Sequence, residues 1–357
     1  MIKQPVAVHS VESVLYPFCN NPDQLSKEQI IRLLQLTGKE ETFLQTAADK
    51  VRRENVGEEV HLRGLIEFSS YCRNDCLYCG LRRSNAKAHR YRLDPDEIVA
   101  VAAEGVRLGY RTLVLQSGED LWYSSKTLAR IVEQIKKLDV AVTLSIGERS
   151  FQEYKDFFLA GTDRFLLRFE TSDPDLYQHL HPGQTLGARL RCLENLDRIG
   201  YQVGSGHIVG LPGQTLSILA SDLLLLKELQ PDMVGIGPFV PDPDTPLGGA
   251  LPGDVDLTLR TVAICRLLLP WAHLPATTAL ATRDPAGYAK GLQYGANVVM
   301  PNITPLKYRL SYQIYPRRSN QSEAAGELAQ ARQLLQAMGR PIASSYGHSL
   351  KPGRNTK

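Results

Sequence analysis

Three cysteines close together are the residues whose types and spacing most directly suggest chemistry. Cys72, Cys76 and Cys79 stand in the pattern C-x3-C-x2-C. Three thiolates can hold three irons of a 4Fe-4S cluster, whereas ferredoxins add a fourth cysteine. No fourth cysteine follows nearby, so one iron would stay open to an outside ligand. A structural zinc site is the alternative, but such sites commonly need a second C-x2-C pair or two histidines, and neither is found.

An open iron indicates a particular cofactor. Such a cluster can bind the amino and carboxylate groups of S-adenosylmethionine, and an electron passed into the sulfonium releases a 5′-deoxyadenosyl radical. The pattern, with the aromatic Tyr78 before the last cysteine, is the signature of radical S-adenosylmethionine enzymes. In that chemistry the cofactor does the hard step and the protein places it. A non-catalytic iron–sulfur carrier is the alternative from a different class.

Composition sets limits on the other possible partners. The chain has 357 residues and a net charge of +3, which is too weak to indicate nucleic acid as a partner. No run of apolar residues is long enough for a membrane span, and the N-terminus lacks the pattern of a signal peptide. We therefore expect a cytoplasmic protein with no membrane or nucleic-acid partner. The remaining cysteines, Cys19, Cys192 and Cys265, are scattered.

The elements that must position the cysteines alternate along the chain. Eight β-type runs are each followed by a helical pattern, and the runs are 62–69, 112–116, 140–146, 164–170, 203–210, 233–240, 274–280 and 296–300. This alternation predicts an α/β fold, a (β/α)8 TIM barrel. We expect an N-terminal helical extension over 1–55, the barrel over 56–305 and a C-terminal segment with a helix over 306–357 that closes the barrel. Active sites of such barrels lie at the C-terminal strand ends.

Longer motifs carry a closer resemblance. From about residue 60 to about 316 the sequence resembles the HydE family, radical enzymes that help build the active-site cluster of FeFe-hydrogenases. The matching segments are EFSSYCRNDCLYCGLRR, RYRL, LQSGED, VTLSIGE, RFET, VGLPGQT, GIGPFVPDPDTPL, PATTAL and NVVMPN.

The resemblance implies roles for individual residues. The cluster cysteines together with Arg168, Thr277 and Thr278 are expected to be catalytic. Residues implied to bind the cofactor are Tyr78, Gln116, Ser117, Gly118, Glu119, Glu170, Arg189 and Ile208. Residues implied to line the substrate cavity are Thr143, Ser145, Met300 and Tyr312.

Other interpretations of these residues stay open. The segment 116–119 could be an ordinary polar turn, Arg189 could lie on a solvated helix face, and threonines in strands usually only pack. Arg168 and Glu170 would point to the same side of a strand. Tyr308, Tyr312 and Tyr315 would share one helix face. A basic run, Arg82, Arg83, Lys87, His89, Arg90 and Arg92, could serve an anionic substrate or a reductase, or be a solvated loop.

The resemblance also implies partners and a reaction. The radical would attack a sulfur-containing substrate, such as a cysteine-ligated iron carbonyl-cyanide unit, with other hydrogenase maturases and a flavodoxin or ferredoxin as partners. Some relatives carry a second cysteine group after the tyrosines, but this chain has none there, so we expect one cluster. The nearest rival is a related radical enzyme such as methylornithine synthase, which rearranges an amino acid.

Overall fold

The computed structural model describes residues 25–314, 316 and 322–354. Cys19 and Tyr315 therefore lie outside the described residues. Within these residues, the first two helices are α1 (Lys27–Leu34) and α2 (Lys39–Val56). None of the helices in the described part of the chain combines the length and apolarity that a membrane crossing needs.

Strands and helices then alternate, as the sequence predicts. The strands are β1 (His61–Ser69), β2 (Thr112–Ser117), β3 (Ala141–Ser145), β4 (Arg164–Leu166), β5 (Gln202–Val209), β6 (Met233–Pro238) and β7 (Val298–Val299). The helices are α3 (Pro95–Arg107), α4 (Ser125–Lys136), α5 (Phe151–Leu159), α6 (Pro174–Leu180), α7 (Leu186–Ile199), α8 (Leu216–Leu229), α9 (Val255–Leu268), α10 (Thr278–Arg283), α11 (Gly287–Gln293), α12 (Leu306–Arg309) and α13 (Ala324–Ala337).

The strands form one parallel sheet in the order β6-β5-β4-β3-β2-β1-β7. Both faces of the sheet are covered, and every residue of β1 and β5 is buried, as parallel sheets require. The sheet curls, because the chain at 273–275 pairs with both edge strands: His273 bridges Met233 of β6, and Pro275 bridges Val298 of β7. The predicted α/β barrel class is confirmed.

The seventh predicted strand is the main local difference. The run 274–280 forms only this narrow bridge, and helix α10 begins at Thr278. Thr277 caps that helix, since its hydroxyl accepts a hydrogen bond from the backbone N–H of Leu280 at 3.4 Å. A threonine favours this capping position as much as it favours a strand, so the capping signal was missed in the sequence. The fourth strand is also shorter than predicted and ends at Leu166.

Helix α4 illustrates why the helices pack against the sheet. Its N-cap Ser124 accepts a hydrogen bond from the N–H of Thr127, and its buried residues Leu128, Ile131, Val132 and Ile135 recur at helical spacing. This apolar stripe packs against the strands in one continuous hydrophobic core. The other faces of the helix stay in solvent.

The C-terminal segment lies across the N-terminal ends of the strands. Ile342 bridges Val60, just before β1. The carbonyl of Tyr346 accepts hydrogen bonds from Thr112 at 2.8 Å and from Arg164 at 2.7 Å, at the starts of β2 and β4. Further along, Ser349 donates to Asp232, directly before β6. The end of the curled sheet opposite the cysteine loop is therefore covered by the chain itself.

Candidate functional site

A cavity of about 630 Å³ lies inside the curled sheet. All the site residues that the sequence predicted line it, and they are Cys72, Cys76, Tyr78, Cys79, Gln116, Ser117, Gly118, Glu119, Thr143, Ser145, Arg168, Glu170, Arg189, Ile208, Thr277, Thr278, Met300 and Tyr312. The structure thus brings the predicted set together in one place. Their individual roles stay predictions.

The three cysteines lie in the loop that follows β1. All three are free thiols, as are Cys192 on α7 and Cys265 on α9, which do not line the cavity. Among the described residues, no three His, Cys, Asp or Glu side chains converge on a single metal ion. A 4Fe-4S cluster makes a different demand, because each thiolate binds its own iron at a separate corner. Three separated thiols at a cavity wall match that demand.

The surroundings of the thiols fit a cationic group. Burial raises the pKa of the Cys79 thiol to about 12, and burial and the neighbouring thiols raise the pKa of Cys76 well above its usual value. Such thiols become thiolates when a metal supplies positive charge. The backbone N–H of Glu119 already points at Cys72 Sγ, 3.4 Å away. Hydrogen bonds of this kind support a sulfur ligand, so the loop fits an iron–sulfur cluster.

Arg90 holds the loop from inside. Its guanidinium donates to the backbone carbonyls of Ser70, Leu81 and Arg82 at 2.5, 2.9 and 2.6 Å. Other members of the basic run make ion pairs, Arg82 with Asp75, Lys87 with Asp244 and Arg92 with Asp120. The interpretation as a solvated loop holds for Lys87, whose side chain is 76% exposed, but not for Arg90 and Arg92. The ion pairs of Lys87 and Arg92 connect the cysteine loop to other parts of the barrel.

A charged network lies beside the cysteines. The carboxylate of Glu119 is buried, lies 2.9 Å from Arg73 Nε and accepts a hydrogen bond from the N–H of Glu148 at 3.0 Å. Arg189, also buried, lies 3.8 Å from Glu119 and 2.8 Å from Glu148. Arg189 is thus turned into the cavity and does not lie on a solvated helix face. Carboxylates and a guanidinium placed together could bind the ammonium and carboxylate groups of one ligand.

Two glycines permit this close packing. A Cβ on Gly118 would lie 2.3 Å from the carbonyl oxygen of Tyr71, and a Cβ on Gly147 would lie 1.9 Å from Cγ of Glu119. Gly147 also has a φ of +74°, which favours glycine. The network therefore depends on backbone positions that no larger residue could occupy.

An apolar wall completes the side nearest the third cysteine. Ile208 packs with Leu180, Leu211 and Phe239, and Tyr78 lies against this group. The Tyr78 hydroxyl is 2.8 Å from Nε2 of His181. This wall could take the flat face of an aromatic ring such as adenine. His181 was not predicted from the sequence, where it showed no ligand spacing.

Arg168 and Glu170 follow the end of β4. Their side chains form an ion pair, with Arg168 Nη2 3.0 Å from Glu170 Oε2. The prediction that both lie within a strand is wrong, because the strand ends at Leu166 and Glu170 adopts a φ of +67°. Residues other than glycine rarely adopt this conformation, and it concentrates at functional sites. The turn aims the carboxylate beside Arg168.

The remaining predicted residues lie on several elements. Thr143 and Ser145 project from β3, and the Thr143 hydroxyl is enclosed without a hydrogen-bond partner among the described residues. Met300 follows β7 directly. Tyr308 lies on the short helix α12, where it stacks on Tyr91. Tyr312 lies beyond that helix, so the structure does not place these two tyrosines on one long helix face.

Several cavity residues were missed in the sequence. Glu67 and Asn302 line the cavity, and Glu148 faces Arg189 beside it. The signal for Glu67 was present, since Arg63, Leu65 and Glu67 alternate along β1 and share its interior face. Glu148 sits in a loop and carries no periodic signal.

The fold and the cysteine site define a radical S-adenosylmethionine enzyme. The family model of the Radical SAM superfamily matches residues 66–226. The FeFe hydrogenase maturase subunit HydE of Thermotoga maritima is 53% identical over 269 residues, 75% of this chain and 77% of that protein. The chain belongs to the HydE family of this superfamily.

Other relatives agree with this fold. The 3-methylornithine synthase of Methanosarcina acetivorans is 31% identical over 280 residues, 77% of this chain and 79% of that protein. The crystal structure of methylornithine synthase (PylB) has a TM-score of 0.80 at 26% identity, and covers 93% of this chain and 97% of its own. The maturase HydG from Carboxydothermus hydrogenoformans has a TM-score of 0.77 at 21% identity, covering 92% and 79%, which supports the fold alone.

Proposed function

We propose that this chain acts in the maturation of FeFe-hydrogenase by radical chemistry on a sulfur-containing substrate. The observation that carries the proposal is the shared cavity, in which the three thiols, the Arg189 network and the predicted substrate residues all meet. When bound, the cluster supplies an electron to S-adenosylmethionine, and the cleaved cofactor supplies the 5′-deoxyadenosyl radical. The substrate would be a cysteine-ligated iron carbonyl-cyanide unit.

The chain's own residues place these groups. Cys72, Cys76 and Cys79 would hold one cluster. Glu119, at the end of the segment 116–119, would accept the ammonium of the methionyl group, and Arg189 would hold its carboxylate. The two lie 3.8 Å apart, which suits groups on one amino-acid moiety. Gln116, Ser117 and Gly118 would contribute to the same contact.

Deeper residues would shape the adenosine and substrate ends. Tyr78 and Ile208 belong to the apolar wall and would contact the adenine ring. Glu170 would bind ribose hydroxyls. Arg168, Thr277 and Thr278 would act on the substrate. Thr143, Ser145, Met300 and Tyr312 would line its cavity and exclude water from the radical.

The proposal extends to organisation and partners. We propose the division 1–55, 56–305 and 306–357, one cluster without an auxiliary one, and a cytoplasmic location. A flavodoxin or ferredoxin would deliver the electron, and other hydrogenase maturases would supply substrate and accept product. The iron–sulfur carrier is the weaker alternative, because it gives no reason for a buried Arg189 facing Glu119 and Glu148.

A second candidate function is rearrangement of an amino acid. The 31% identity to a methylornithine synthase favours it, and the higher identity to the HydE protein opposes it. Turnover of lysine by the reduced enzyme would decide for this candidate. Restoration of hydrogenase activity in an extract that lacks its own HydE would decide for maturation.

The first experiment is made on anaerobically reconstituted protein. We expect a 4Fe-4S EPR signal that shifts on addition of S-adenosylmethionine, together with 5′-deoxyadenosine as product. Cys76→Ala should lose the signal, whereas Cys192→Ala should keep it because Cys192 does not line the cavity. A cluster without a shift or cleavage would favour the carrier, and zinc in place of iron would overturn the mechanism.

A further inference from the structure

Glu67 is a buried acidic residue inside the cavity that the proposed function does not use. It lies on the interior face of β1, and only 8% of the residue is exposed. Its neighbours in strand register are Gln116 on β2 and, next to that, Ser145 on β3. These side chains share one layer on the cavity wall, because residues in register on neighbouring parallel strands point to the same face.

The position of Glu67 is fixed from both ends. Its backbone N–H donates to Oγ1 of Thr304 at 2.8 Å, and its carboxylate Oε2 accepts from Nδ2 of Asn302 at 2.8 Å. Asn302 is itself held, since its Oδ1 accepts from the N–H of Thr304 at 2.9 Å. The other carboxylate oxygen, Oε1, has no donor among the described residues and is not fully enclosed by protein. It is therefore open to the cavity.

In the described part of the chain, the Glu67 carboxylate forms no ion pair. Among residues 25–314, 316 and 322–354, no lysine, arginine or histidine lies within ion-pair distance of Glu67. The nearby Arg309 is engaged elsewhere, with Glu327 at 3.1 Å and with the carbonyls of Asn302 and Thr304 at 2.7 and 2.8 Å. A carboxylate kept in a cavity without a cation is costly.

The unfavourable burial of the charged carboxylate changes the pKa of Glu67. The pKa of Glu67 is raised to about 7, because the effect of burial, with a smaller one from Glu327, exceeds the opposing effects of Asn302 and Arg309. The other titratable groups that face it are Tyr91, whose hydroxyl donates to the Glu67 carbonyl at 2.7 Å, and Tyr312. A cationic ligand in the cavity would repay this cost.

We propose that Glu67 binds an ammonium group of the substrate and so selects substrates that carry a free amino group. The inference rests on the proposed function, because it concerns the substrate of the same cavity. Oε1 accepts the hydrogen bond from the ammonium, and Asn302 holds the carboxylate in place. Glu67 is a specificity residue in this scheme, distinct from the Glu119 site for the cofactor's own ammonium.

The test compares two ligands that differ in one group. S-methyl-L-cysteine carries an ammonium, a carboxylate and a thioether, and 3-(methylthio)propanoate lacks only the ammonium. Binding is measured by calorimetry to the oxidised holoenzyme saturated with S-adenosylmethionine, so that the cofactor site is filled and no turnover occurs. We expect the wild type to bind the amino compound about tenfold more tightly, as a hydrogen bond between charged groups predicts.

Glu67→Gln should remove this preference by weakening the amino compound alone, and Glu67→Asp should keep part of it. Glu133→Gln, at an exposed site on α4, should leave both affinities unchanged. Equal weakening of both ligands in Glu67→Gln, or no preference in the wild type, would overturn the proposal. Deoxyadenosine formation without substrate is assayed separately, so failure of the radical function is distinguished from failure of this site.

A second measurement uses only the wild type, so it does not depend on whether the Glu67 variants fold. On the wild type, affinity for S-methyl-L-cysteine should rise as the pH increases from 6 to about 7.5, because the carboxylate must be ionised. Over that range the α-ammonium stays mostly protonated. The propanoate should show no such rise, and a flat profile for the amino compound would contradict the proposal.

Discussion

Arg189 Nε lies 2.8 Å from Oε1 of Glu148, and this ion pair sits beside the cysteine loop. The same guanidinium donates to the hydroxyl of Tyr177 at 3.2 Å and to Oε1 of Gln184 at 3.1 Å. These contacts fix a planar fork at the cavity wall. A fork of this kind binds a carboxylate through two parallel hydrogen bonds, which a lysine cannot form.

Arg189→Lys should therefore weaken binding of S-adenosylmethionine roughly tenfold or more, since a hydrogen bond to a charged group contributes about 1.5–3 kcal/mol. Calorimetric titration of the oxidised holoenzyme measures the dissociation constant. Arg191→Lys is the matched control, because Arg191 lies on the same helix with an exposed side chain. Equal loss of affinity in the two variants would contradict a direct role for Arg189.

Gly118→Ala should reduce the iron content roughly twofold or more, because interiors packed this closely do not absorb an added methyl group. Its Cβ would lie 2.3 Å from the Tyr71 carbonyl and 2.8 Å from Cβ of Cys72. The cysteine loop would have to move away. Iron and sulfide are measured after reconstitution. Gly249→Ala, where nothing lies within 4 Å, should keep full iron content, and unchanged iron in Gly118→Ala would count against a fixed loop.

Thr277→Val should lower the free energy of unfolding by about 1 kcal/mol through loss of the cap on α10. The hydroxyl that accepts from Leu280 N–H is removed, while the volume stays nearly the same. Thr277→Ser keeps the hydroxyl and should retain the stability. Urea denaturation of both variants checks this. If both variants are equally destabilised, packing of the methyl group is the cause and the cap is not.

His207 should make the protein less stable in acid. Its pKa is lowered to about 3, mainly by burial and in addition by the positive charge of Arg168. Because the unfolded chain takes up a proton near pH 6.5 and the folded state does not, stability is complete above 6.5 and falls as the pH decreases. At pH 5 this residue should cost about 2 kcal/mol.

The variant His207→Leu should lose that part of the pH dependence. Neither ring nitrogen of His207 has a hydrogen-bond partner among the described residues, so the change removes no polar contact there. The midpoint of urea denaturation is followed between pH 7 and 5. His179→Gln, at an exposed site, should keep the slope of the wild type. An identical slope in His207→Leu would show that other groups cause the acid sensitivity.

Most of the architecture could be predicted from local signals in the sequence. Strands buried on both faces appear as continuous apolar runs, and the predicted runs 62–69 and 112–116 agree closely with β1 and β2. The cysteine spacing, together with its place after the first strand, predicted where the candidate site lies. The prediction of a strand over 274–280 was wrong because the threonines there suit both a strand and a helix cap. Only the contacts with β6 and β7 decide between these two structures.

The remaining features depend on contacts distant in sequence. Arg90 looks like one of several loop charges until the carbonyls of Ser70, Leu81 and Arg82 gather around it. The position of Glu148 is explained only by its ion pair with Arg189, which lies on another element. Nothing in the local pattern around either residue indicates that partner.

The segment of chain around Ile342, Tyr346 and Ser349 gives the barrel a sealed floor. Because the chain's own C-terminal segment closes that end, we expect ligands to reach the cavity from the opposite end, which carries the cysteine loop. A partner that hands its product to this chain would then have to bind at the cysteine side of the barrel.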